Sequence, residues 1–168
     1  YHELLGLCSH EYFHLWNVKR IRPDVFIAPD LSREVHTTQL WAFEGITSYY
    51  DDLALCRSGV LSPDAWLNRL ARLITRVHRG AGRFRQTLAE SSFDAWTRFY
   101  KADENAPNAI VSYYAKGALV ALALDLTLRY RSDSHCSLDD VMRALWQRHG
   151  RTGEGLAEDG VERLAAEL

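Results

Sequence analysis

Cysteine is scarce in this chain of 168 residues. Cys8, Cys56 and Cys136 are scattered, odd in number and form no C-x-x-C pair. That excludes a disulfide framework and a cysteine zinc site and leaves the three as small buried or half-buried filler. Positive charge is not in excess. The formal net charge of -2 argues against a nucleic-acid or anionic-membrane partner. Long hydrophobic runs are missing too. The longest, Gly117 to Leu124, falls far short of the roughly 18 apolar residues that cross a bilayer, so no transmembrane segment is expected. No alternating strand pattern, internal repeat or low-complexity tract is found, and the sequence opens at Tyr1 with no Met and no signal-like segment. The expectation is a soluble protein, its compartment, cytoplasmic or periplasmic, left open by the sequence. It is also expected to be a piece of a larger protein, because a domain rarely begins inside its most informative helix.

What is present reads as helix throughout. Hydrophobic residues at 47% and charged residues at 25% suit one globular domain over residues 1–168. Leu4, Leu5, Cys8, Tyr12, Leu15 and Trp16 recur at helical spacing, predicting a first helix over 2–17 that ends before Arg22-Pro23. Residues 19–34, broken by Pro23 and Pro29, read as a loop long enough to wall a binding cleft. A densely apolar helix is predicted from about 35 to Arg57, closed by Gly59. Ser62-Pro63-Asp64 opens another, running to about His78. Further helices are expected over 92–99, over 111–131, from Ser137 to Gly150 with a box of capping type at Ser137–Asp140, and over 156–168. Residues 103–108 read as loop. The fold class is all-α, with six or seven helices.

The first helix contains His10-Glu11-Tyr12-Phe13-His14, an H-E-x-x-H motif. Residues four apart share a helix face, so His10 and His14 can ligate one zinc ion. Glu11, one position round, acts on an activated water and not on the metal. Catalytic zinc takes three protein ligands. A third His in the H-E-x-x-H-x-x-G-x-x-H pattern fails, because Asn17 and Arg20 stand where Gly and His would be. Glu44 is the better ligand, an acid in a run so apolar that burying it unpaired would be costly. Glu34 and His36 are rivals, the latter also a candidate cap. With His10, His14 and Glu44 on the ion, Glu11 serves as general base and a further donor is needed for the oxyanion. Tyr113 or Tyr114, at a helix start after a polar loop, could supply it. Tyr49 and Tyr50 read as core. Asp51 could support a ligating imidazole or end a helix in solvent. Lys19, Arg20 and Arg22 read as a solvated loop, with a substrate carboxylate as the alternative partner.

Taken together, the residues from Ser9 to Pro23, Trp41 with Glu44-Gly45, the run Thr47 to Asp51, Ala89 to Trp96 and Ser112 to Leu124 resemble the glycyl aminopeptidase family of zinc metallopeptidases. The resemblance spans nearly the whole chain. It implies the helical, C-terminal portion of a thermolysin-like gluzincin catalytic domain, with Glu44 as third zinc ligand and an unblocked peptide as substrate. Distant cousins, the large alanyl-type aminopeptidases, carry a catalytic Tyr in a Y-x-K-G motif. Tyr114-Ala115-Lys116-Gly117 matches it, which favours Tyr114 over Tyr113. The implied activity is removal of small N-terminal residues, chiefly Gly and Ala. The resemblance also implies an upstream β-rich region, carrying the acid that recognises the free amine, and a downstream PDZ domain. A zinc endopeptidase of the same fold and a non-catalytic binding scaffold are the competing readings.

Overall fold

The computed structural model describes residues 2–168. Eight α-helices build the described residues: α1 (His2–Phe13), α2 (Ile46–Arg57), α3 (Pro63–Arg79), α4 (Leu88–Phe93), α5 (Ala106–Ala109), α6 (Tyr113–Arg131), α7 (Leu138–Leu145) and α8 (Gly160–Glu167). The class is all-α, as the sequence predicts, and among these residues the only extended pairings are two isolated bridges. Three single π-helical turns interrupt the pattern, at Trp41–Gly45, Ala95–Phe99 and Trp146–Gly150. The first matters most, since it carries Glu44 and runs directly into α2.

Helix α6 is the axis of the molecule. It packs against the first π turn, α2, α3, α4 and α7. Its inward face is mostly small: Ala115, Gly117, Ala118 and Ala121 are buried, so neighbouring backbones can come close. A Cβ built on Gly45 would stand 2.6 Å from the backbone of Gly117, and one on Gly117 would stand 2.8 Å from the Trp41 carbonyl oxygen. Neither glycine can gain a side chain without parting the π turn from α6. The stretch 106–131 is long and apolar enough to cross a membrane by length and composition alone. Here its inner residues line a protein core, and buried Asp125 is bonded by Tyr49, Arg129 and the backbone NH of Leu138.

The end of α1 is fixed by one buried side chain. The sequence predicts helix to residue 17, but regular α-helix stops at Phe13 and the chain tightens, Leu15 bonding Tyr12 and Trp16 bonding Phe13. Asn17, 2% exposed, points its amide at the carbonyls of Ala42 and Phe43 and at Thr47 Oγ1, at 3.2, 3.1 and 3.1 Å. Val18 then takes φ 114°, a conformation that costs a β-branched residue on the order of 1–3 kcal/mol. Hydrogen bonds from Val18 N to Ile21 O and from Ile21 N to Trp16 O close the reversal.

Other boundaries move for local reasons. The helix predicted from residue 35 begins near Leu40, because the Thr37 hydroxyl and the Thr38 backbone NH donate to the Glu158 carboxylate instead of entering a helical ladder. The helix predicted over 92–99 is instead α4 followed by a π turn. Thr87 and Glu90 form a capping box that starts it at Leu88. Residues 106–109 are a short helix rather than loop. Leu156 is not helical: it exchanges backbone hydrogen bonds with Arg22 and Asp24, so α8 begins only at Gly160. The start at Ser62 is as predicted, and the helix predicted over 111–131 begins at Tyr113 behind Ser112, each serine side chain accepting from the NH three residues on. At Ser137 the Asp140 carboxylate accepts from the backbone NH and the hydroxyl. No disulfide links the cysteines; Cys8 is exposed on α1 rather than filling space, while Cys56 and Cys136 are half-buried.

Candidate metal centre

Three donors converge where α1 faces the first π turn. Nε2 of His10 and Nε2 of His14 each lie 3.2 Å from the same Glu44 oxygen, and all three donor atoms fall within 4.8 Å of one another. Their side chains retain 13%, 12% and 20% exposure. They are thus shielded by protein yet reachable from a cleft of about 670 Å³ that Glu11, Lys19 and Tyr114 also line.

The two imidazoles are oriented from behind. His10 Nδ1 is 3.3 Å from the Asp51 carboxylate, and Ser9 Oγ donates to the Asp51 carbonyl at 2.8 Å, locking α1 against α2. His14 Nδ1 donates to the Asn17 carbonyl at 2.8 Å. With each Nδ1 engaged, each Nε2 presents its lone pair to the common point, the usual arrangement for metal-ligating histidine. Donors about 2.0–2.1 Å from a tetrahedral zinc stand roughly 3.3 Å apart, close to the His–Glu separations here. Donor type, the two His–Glu separations and the support from behind fit a zinc ion.

The electrostatics carry the same imprint. Burial opposes the protonated form of His10, but hydrogen bonds to Asp51 and Glu44 and their charges outweigh it and push its pKa up to about 9. His14 shifts upward likewise, burial being overcome by its bond to Glu44. Burial would raise the Glu44 pKa, yet the two imidazoles hold it down at about 2. Burial is the larger effect at Asp51 and raises its pKa despite His10. The two imidazoles and the carboxylate form a tight ion cluster, and such mutually perturbed groups in a cleft mark a candidate functional site.

Tyr114 completes the cleft wall. Its ring centroid is 6.3 Å from that of His10, whereas Tyr113 is 1% exposed and turned into the core. Of the pair, Tyr114 faces the site. The rival ligands lie elsewhere. His36 donates to the Phe93 carbonyl at 2.8 Å and packs on that ring, neither ligand nor cap; Glu34 is exposed on a groove beside Trp96. Tyr49 and Tyr50 are core residues bonded to Asp125 and Asp139. The basic cluster splits: Lys19 borders the cleft, whereas Arg20 bonds the Gly150 carbonyl and covers Trp146. Asn17 was legible only as the position where a glycine is absent; its clamp on the Glu44 turn joins residues 25 to 30 positions apart, which spacing alone does not reveal.

A family model described as M61 glycyl aminopeptidase matches residues 3–120, a span that holds His10, Glu11, His14, Glu44 and Tyr114. A solved structure of an aminopeptidase N family protein from Idiomarina loihiensis superposes with a TM-score of 0.97 at 49% identity. It covers 99% of this chain, which in turn spans 28% of that one. No curated protein sequence matches.

Proposed function

The chain belongs to the M61 glycyl aminopeptidase family, and from that membership we propose that it carries the zinc centre of an aminopeptidase releasing small N-terminal residues, chiefly Gly and Ala. The observation that carries the reading is the convergence of His10, His14 and Glu44 on one point, each imidazole braced from behind, with Glu11 and Tyr114 on the same cleft. Bound there, zinc would supply Lewis acidity that lowers the pKa of a water and polarises a peptide carbonyl. Glu11 takes the proton of the attacking water on its carboxylate and passes it to the departing amine. The Tyr114 hydroxyl donates to the oxygen on which negative charge gathers. His10 and His14 would hold the ion through neutral rings, with Asp51 and the Asn17 carbonyl keeping the Nδ1 protons in place.

The same reading takes residues 1–168 as the helical portion of a catalytic domain within a longer protein, with a β-rich region upstream that recognises the substrate's free amine and a PDZ domain downstream.

The test uses the full-length protein. Purified, it should hold one zinc per chain and cleave unblocked Gly- and Ala-peptides far faster than their N-acetylated forms. Glu11→Gln should keep the zinc and lose at least about a hundredfold in kcat; Glu44→Ala should lose the zinc. An active Glu11→Gln protein would overturn the mechanism. Equal cleavage of blocked peptides would point to an endopeptidase, and a native protein without zinc to a scaffold.

A further inference from the structure

The hydroxyls of three tyrosines form a row that ends in the cleft. Tyr113 Oη donates to Tyr100 Oη at 3.3 Å, and Tyr100 Oη lies 3.4 Å from Tyr114 Oη. The rings pack on one another. Tyr113 stacks on Tyr114 with centroids 4.6 Å apart, and Phe99 contacts Tyr100, Tyr113 and Tyr114 at 5.5, 4.8 and 5.9 Å. Tyr100 follows the π turn Ala95–Phe99, so it reaches Tyr114 from a separate element. Tyr100 itself is 60% exposed.

Each phenol has one hydrogen to donate. Tyr113 gives its hydrogen to Tyr100. A Tyr114 that serves substrate must aim its hydrogen into the cleft, so it cannot also donate to Tyr100. Tyr100 must then donate to Tyr114. The order Tyr113 to Tyr100 to Tyr114 to substrate meets all three conditions. In that order each bond polarises the next and strengthens the terminal donor. The two contacts exceed the ~2.8 Å of an ordinary O–H···O bond, and catalytic hydrogen bonds commonly tighten once substrate is bound.

We propose that Tyr100 is a positioning residue for Tyr114: by donating to its hydroxyl oxygen it fixes the rotor so that the Tyr114 hydrogen points at the reacting carbonyl. This rests on Tyr114 being the oxyanion donor. The experiment is a double-mutant cycle on the zinc-loaded full-length protein, with kcat and KM measured on an unblocked alanyl peptide and zinc content and melting temperature checked for each variant. Tyr114→Phe should lower kcat about a hundredfold. Tyr100→Phe, which keeps the ring contacts, should lower kcat about five- to tenfold, the scale of one hydrogen bond, with KM nearly unchanged. In the Tyr114→Phe background, Tyr100→Phe should cost nothing more. Tyr113→Phe should give a smaller fall, also absent in that background. Wild-type kcat in Tyr100→Phe, or the same loss repeated in the double variant, overturns the positioning role while leaving Tyr114 intact. Wild-type kcat in Tyr114→Phe overturns both.

Discussion

Asn17 carries out two tasks with one residue. Its carbonyl holds His14 Nδ1, and its amide holds the carbonyls of the turn that bears Glu44. Two ligands separated by 30 positions are thereby referenced to one rigid group. In Asn17→Ala the backbone carbonyl can still accept from His14, but the carbonyls of Ala42 and Phe43 lose a buried donor. Such losses cost about 1–3 kcal/mol, and loosening a ligand's support weakens metal binding by roughly tenfold or more. Denaturant unfolding of the metal-free protein and a competitive zinc titration should each register the change. Wild-type zinc affinity would mean that Glu44 is held by something else. The imidazole pair was legible in the sequence because four-residue spacing on a helix is a local fact. The clamp was not, because an asparagine after a helix reads equally well as a plain helix end.

At the scale of elements, the site depends on how closely two backbones cross. Gly45 and Gly117 let the π turn sit directly on α6, and that contact sets Glu44 opposite Tyr114. In an ordinary helix interior, Gly→Ala stabilises by up to about 1 kcal/mol. At Gly117 the added methyl would meet the Trp41 carbonyl oxygen and the Gly45 Cα at 2.8 and 2.9 Å, and overpacking costs typically about 1–3 kcal/mol. The clash should win. Gly117→Ala is expected to lower the melting temperature and kcat together, whereas a gain in stability would show that the crossing has room to spare. The helices themselves were largely readable from apolar spacing, Ser62-Pro63 and Ser112. The π turn was not, because its apolar density fits an α-helix equally well. The Thr87–Glu90 box was written plainly in the sequence and marks a helix that aromatic content alone misplaces.

For the molecule as a whole, the clustered charges make stability depend on pH and on metal in opposite senses. The folded pKa of His10, about 9, lies above its ordinary 6.5. Its contribution is therefore fully present below pH 6.5 and lost as pH rises through about 9. Glu44, held at about 2 against an ordinary 4.5, contributes fully above pH 4.5 and loses that contribution as pH falls through about 2. From these two groups, the metal-free protein should be steadiest between about pH 4.5 and 6.5. Zinc needs neutral imidazoles, so its affinity should rise over the range where the metal-free protein weakens. Uptake at pH 7 should release about one proton from His10 alone. Urea midpoints of the metal-free protein from pH 5 to 9, with proton release followed on adding zinc, check both halves. A flat profile above pH 6.5 would show that the ion cluster does not contribute to stability.

The pairing of Leu156 with Arg22 and Asp24, together with the bonds from Arg20 to Gly150 and from Thr37 to Glu158, ties the early segment that joins the two ligand-bearing elements to the end of the chain. During synthesis, His10, His14 and Glu44 leave the ribosome long before the residues that fix the loop between them. At about 5–20 residues per second, that interval is on the order of ten seconds. For that time the nascent chain displays two histidines and a glutamate on a tether still lacking its far anchor, open to whatever metal or chaperone it meets first.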